Sequence, residues 1–187
     1  MKKTNTKVKV FKSLAILASS SFLAALSIIL GKYLAIPGGN VLRFSFENLP
    51  IMFAGMAFGP FVGCAVGIVA DLIGCVLVGY TVNPLITAGA ACIGLISGTV
   101  YYLLGRFSTL PLAARVALSV LSAHLVGSVI VKTIGLAKFY DFPIFVLMLW
   151  RLLNYFIVGV LEVLILWYLM KNKQIQKQIN SMTGKIK

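Results

Sequence analysis

Acidic residues are scarce: Asp and Glu number four in 187 residues, against seventeen Lys and Arg. Charged residues of both signs make up 11% of the chain, where a soluble domain carries roughly 25%. Too little charge is present to cover a water-facing surface, so a soluble globular domain is excluded. Histidine occurs once, as His124. The G-x-S-x-G, H-E-x-x-H and phosphate-loop patterns are absent, which removes the common hydrolase, zinc-protease and nucleotide-binding classes. An active transporter of this sequence must take its energy from a partner or an ion gradient. The three cysteines, Cys64, Cys75 and Cys92, all sit in apolar runs without C-x-x-C spacing. They suit small packing positions rather than metal ligands or disulfides, and no cofactor is expected.

What fills the chain is hydrocarbon. Hydrophobic residues make up 60% of it and the mean hydropathy is +1.00. A spanning helix takes ~20 apolar residues, so about six spans account for most of the length. The expected fold is an all-α membrane protein, a bundle of six transmembrane helices in one domain spanning 1–187. Residues 1–12 and 171–187 are its basic ends. Helix one is expected at Ser13–Ile36, stopped by Pro37-Gly38-Gly39, and retained because no A-x-A cleavage pattern follows it. Helix two, Phe46–Phe58, is short for a span, and a re-entrant segment is its alternative. Helix three covers Phe61–Val78, helix four Leu85–Leu104, helix five Leu112–Gly135 and helix six Ile144–Met170. No internal repeat relates the two halves, which disfavours an inverted-repeat carrier.

Placement of the bases orients the bundle. Five lysines precede the first apolar run, five follow the last, and Arg106 and Arg115 flank the loop after helix four. With six spans, these twelve bases share one side, the cytoplasmic side by the positive-inside bias. Glu47, Asp71, Asp141 and Glu162 avoid it. The chain is therefore expected in the cell membrane with both termini cytoplasmic. Its basic ends meet anionic lipid headgroups rather than nucleic acid.

Ionisable groups among apolar ones carry the functional signal, because a charge within a membrane is costly and faces a cavity or a partner. Arg43 and Glu47, four apart, suit one face at the start of helix two, either as cavity lining or as an i,i+4 ion pair. Asp71 continues the spacing of Gly59, Gly63 and Gly67, a small-residue face for close helix approach. Such a face packs internally or docks another subunit. On helix six, Trp150, Arg151, Asn154 and Tyr155 combine a cation, an amide and two aromatic faces. That set fits a planar anionic ligand; alternatively Arg151 pairs with Asp71 or Glu162. The Tyr80–Pro84 turn places Asn83 where it gates a pocket, with Thr87 just beyond. His124 reads as a packing residue, and Lys32 and Lys132 as interfacial ones.

The run Leu42-Arg43-Phe44-Ser45-Phe46-Glu47-Asn48-Leu49-Pro50-Ile51 is followed by Gly55 and Phe58-Gly59-Pro60. After these come Gly63, Gly67, Asp71-Leu72-Ile73-Gly74, Gly79-Tyr80, Asn83-Pro84 and Gly94-x-x-x-Gly98. This pattern resembles the folate-type substrate-binding S components of energy-coupling factor (ECF) vitamin transporters. The resemblance implies a non-enzymatic subunit that binds one vitamin, folate by preference, in an outward-facing pocket. It then docks on a transmembrane coupling subunit with two ATPases. It also implies coupling contacts on small faces of helices one and three, here Ser21, Ala25, Gly63 and Gly67. Serine at position 21 departs mildly from the family's usual alanine. An S component for another vitamin or precursor, or a self-contained secondary carrier, is the alternative.

Overall fold

The computed structural model describes residues 2–37, 43–107, 110–140 and 143–184. Side chains are described from Leu14 onward, except those of Pro37, Arg43 and Tyr140. The first helix, α1 (Lys2–Ile28), runs on into a π-helical turn, Ile29–Tyr33. A two-stranded antiparallel ribbon follows, β1 (Ile36–Pro37) with β2 (Arg43–Phe44), pairing Pro37 with Arg43. Then come α2 (Asn48–Phe58), α3 (Pro60–Val78) and α4 (Pro84–Leu104). One continuous rod joins α5 (Leu112–Ala123), a π segment (His124–Val131) and α6 (Lys132–Tyr140). The chain finishes with α7 (Ile144–Lys171) and α8 (Lys173–Thr183).

Five of these segments are long and apolar enough to cross a bilayer. The sixth member of the bundle, α2, has 11 residues, so it rises about 16 Å, roughly half of a ~30 Å hydrocarbon core. Most of α2 is buried, so it packs inside the bundle rather than facing lipid. Local chemistry sets the joints. Gly59 takes φ 114°, a conformation open to glycine, and Pro60 starts α3 with its ring already helical. The helices α2 and α3 thereby fold back on each other at once. Gly79 closes α3 in the left-handed conformation, and the Tyr80 amide donates to the Cys75 carbonyl at 2.9 Å.

The helices α2, α3 and α4 meet backbone to backbone. A Cβ on Gly63 would lie 2.6 Å from Gly55 Cα and 2.7 Å from the Gly94 carbonyl oxygen. One on Gly67 would strike the Ala90 carbonyl, and one on Gly94 the Gly63 carbonyl. The small face of helix three is thus occupied within the chain. Gly63 and Gly67 are buried, and as coupling-subunit contacts they are withdrawn because α4 already covers them. Ser21 and Ala25, by contrast, are exposed on α1.

A further sequence expectation needs correction. The pair Arg43/Glu47 does not share a helix: α2 begins at Asn48, and Arg43 lies in the ribbon. Residues 173–183 of the basic tail form α8, whose Ile175 and Ile179 pack into the apolar core. Ser19 of α1 contacts Met182 of α8 at 3.6 Å, so α8 packs beside α1 at one end of the bundle.

Candidate functional site

At the opposite end, α1, α2, α3, α4 and α6 converge on a cluster of polar side chains. Its centre is an ion pair that joins residues 85 apart in sequence: Lys132 Nζ donates to Glu47 Oε1 at 2.9 Å. Lys132 also lies 3.5 Å from Asn48 Oδ1. Asn48 is fully buried, and its Nδ2 has no hydrogen-bond partner among the described residues. Ser27 of α1 ties the cluster down by donating to the Glu47 carbonyl at 2.6 Å.

Glycines make room for these charges. The Lys132 stem crosses α4 at Gly89, where a Cβ would come within 2.5 Å of Lys132 Cγ. Glu47 lies over Gly31 in the π-helical turn, where a Cβ would sit 2.7 Å from the Glu47 side chain. Lys32 lies on Gly74 of α3, with its ammonium 5.7 Å from the centre of the Tyr80 ring. Next to it, Asp71 accepts from the Thr87 hydroxyl at 2.6 Å. Ser27, Lys32, Glu47, Asp71 and Lys132 together enclose about 10 Å³, room for roughly one water molecule. Its own charged side chains narrow the crevice.

Of the residues singled out from sequence, Glu47 and Asp71 line this crevice, with Thr87 bonded to Asp71. The β2 strand containing Arg43 leads into it, while the Arg43 side chain lies outside the described residues. Asn83 is used structurally: its Oδ1 caps α4 by accepting from the Leu85 and Ile86 amides at 3.0 and 3.4 Å. Its Nδ2 donates to the Gly135 carbonyl at 3.1 Å. Trp150 is half exposed on the outward face of α7. Arg151, Asn154 and Tyr155 do share the inward face of α7, but that face meets the π segment. Arg151 donates to the Ser128 carbonyl at 2.8 Å, and Tyr155 stacks on His124 with ring centres 4.6 Å apart. Glu162, two turns further along α7, bonds His124. Sequence reasoning passed over Lys32 and Lys132 as interfacial anchors. The signal that could have found them is the pairing of each with a glycine on a neighbouring helix, which only the fold reveals.

Comparison with known proteins places this arrangement. No curated protein sequence matches the chain. Among solved structures, FolT bound with folic acid superposes with a TM-score of 0.68 at 27% identity, covering 86% of this chain and 95% of FolT. The S component for biotin from an ECF-type ABC transporter gives 0.62 at 22% identity, covering 86% and 93%. An S component of a bacterial ECF transporter gives 0.54 at 17% identity, covering 83% and 90%. The family model for the ECF-type riboflavin transporter S component matches residues 11–177. A match of that extent covers every spanning helix, and the chain belongs to the ECF-type riboflavin transporter S component family.

Proposed function

We propose that this chain is the vitamin-capturing subunit of an ATP-driven ECF importer and that folate is its preferred ligand. The observation that carries the reading is the buried Lys132–Glu47 pair beside the unpartnered Asn48 Nδ2. A buried ammonium held by an internal carboxylate is a ready receptor for an external one. Folate brings a glutamate tail to replace Glu47 on Lys132. Its pteridine edge supplies donors and acceptors for Asp71, Thr87 and the spare Asn48 N–H. Lys32, Lys132 and Arg151 outnumber Glu47 and Asp71 at this end of the bundle, which favours an anionic ligand. Likeness to FolT, at 27% identity over nearly its whole length, supports the same choice.

Riboflavin is the second reading, because the matching family model bears its name. Its fused rings present a similar polar edge, but its sugar-alcohol tail is neutral and leaves Lys132 without a new counter-ion. Mass spectrometry of the small molecule that copurifies with the detergent-solubilised protein, followed by titration with folic acid, riboflavin and biotin, tests both. Folic acid is expected to bind most tightly; preferential binding of riboflavin would overturn the folate assignment.

On this reading the crevice faces outward, both termini are cytoplasmic and the protein resides in the cell membrane, in line with the basic sequence of both terminal segments and of the Arg106–Arg115 connection. The exposed Ser21 and Ala25 face of α1, flanked by Ala18 and Phe22, is the part of the expected coupling surface still open to a transmembrane partner and its two ATPases.

A further inference from the structure

Lys132 is aimed by an irregular piece of helix. The π segment His124–Val131 ends where Lys132 begins, and the Lys132 amide donates to the Gly127 carbonyl, five residues back. In an α-helix that amide would donate to Ser128, four residues back. The Ser128 carbonyl instead receives Arg151 Nη1 at 2.8 Å. Arg151 therefore occupies the acceptor that a regular helix would give to Lys132. Two further contacts hold the same segment from α7: Tyr155 stacks on the His124 ring, and Glu162 bonds His124 Nε2. His124 Nδ1 in turn contacts Ser128 Oγ at 3.2 Å. From the other side α4 presses on Gly127, where a Cβ would lie 2.5 Å from Ile93 Cγ1 and 2.8 Å from the Gly89 carbonyl oxygen.

Isolated π turns are uncommon inside helices and recur at functional sites, so one that persists needs partners outside its own backbone. Resting on the site proposed above, we infer that Arg151, Tyr155 and Glu162 are positioning residues that hold the π register and so aim Lys132 at the ligand. Reversion to α geometry would shift the rod beyond Ser128 by about one residue, turning Lys132 by roughly 100° and carrying its ammonium away from Glu47 and Asn48. The polar face of α7 then acts on the ligand through the adjoining helix, without touching it.

This role is separable from direct contact, because a positioning arginine needs to supply one N–H to a carbonyl, whereas a carboxylate clamp uses two. Arg151→Ala is expected to weaken folic acid binding by about tenfold or more, the scale of one lost buried hydrogen bond to a charged group. Arg151→Lys, still a donor, should recover most of that loss. In the Lys132→Met background Arg151→Ala should add nothing, since the residue being aimed is gone. Hydrogen exchange of the amides at 129–133 should quicken in Arg151→Ala and be restored in Arg151→Lys. Additive losses in the double variant, failure of lysine to rescue, or unchanged exchange would each overturn the inference. Wild-type protein that ignores folic acid would count against the proposed function alone, and the exchange comparison would still decide whether Arg151 holds the π register.

Discussion

A lysine on an apolar helix has two destinations: it snorkels to the interface or it finds an anion inside. Local sequence does not separate them, and here both Lys32 and Lys132 turn inward. Asp71 was legible because a carboxylate in the middle of an apolar run has no interface to reach. Glu47 was open to two readings, cavity lining or the i+4 partner of Arg43; it lines the crevice, and its counter-ion lies 85 residues away, where only folding brings it close. The ion pair makes two opposite predictions. Lys132→Met should cost folic acid binding on the order of 2–5 kcal/mol, which is about 30- to several-thousand-fold in Kd. Glu47→Gln removes the internal competitor for Lys132 and should tighten binding. Isothermal titration in detergent checks both. Weaker binding by Glu47→Gln would show that Glu47 itself contacts the ligand rather than guarding the ammonium.

Helix existence was written plainly in the hydrophobic runs, and joints such as Gly59-Pro60 and Asn83-Pro84 were legible from turn chemistry. The face that each small-residue stripe presents was not. Glycine every fourth residue says that something approaches closely, and it is equally suited to a partner subunit or to the next helix. Gly63 and Gly67 are claimed by α2 and α4, while Ser21 and Ala25 remain open. The π segment escaped detection because its register depends on Arg151 and Gly127 contacts that cross between helices. Substitutions at the two stripes should therefore behave differently. Gly94→Ala drives a methyl into the Gly63 carbonyl, and overpacking of this kind costs about 1–3 kcal/mol. A lowered midpoint in a thermal unfolding scan is the expected outcome. Ala25→Leu adds bulk to an exposed face, so stability and folic acid binding should hold while transport by the assembled importer falls. Unimpaired transport in Ala25→Leu would remove α1 from the coupling surface.

At the scale of the whole molecule, the parity of crossings is fixed even though α2 alone is too short to span. Helix α1 leaves the terminal end, α2 dips back, and α3 starts from the Gly59 turn and runs to the crevice end. There Gly79 and Asn83 reverse the chain into α4. The rod containing the π segment and then α7 complete the circuit, returning α8 to α1 at Ser19 and Met182. Charge adds the direction. Both terminal segments and the Arg106–Arg115 connection are basic, and the described acids Glu47, Asp71 and Glu162 lie elsewhere, so the orientation proposed above, with the terminal end cytoplasmic, is the one the positive-inside bias favours. A cysteine placed at Thr81, exposed in the turn between α3 and α4, should react with a membrane-impermeant maleimide in intact cells. The three native cysteines, which are free thiols, must first be replaced. A cysteine at Ser181, exposed on α8, should react only after permeabilisation. The reverse pattern would invert the orientation and put the crevice inside, where it could not capture an external vitamin. Equal labelling of both sites in intact cells would break the crossing parity, placing the turn and α8 on the same side of the membrane. That result would contradict a bundle in which α1 and α8 meet at the end remote from the Lys132–Glu47 pair.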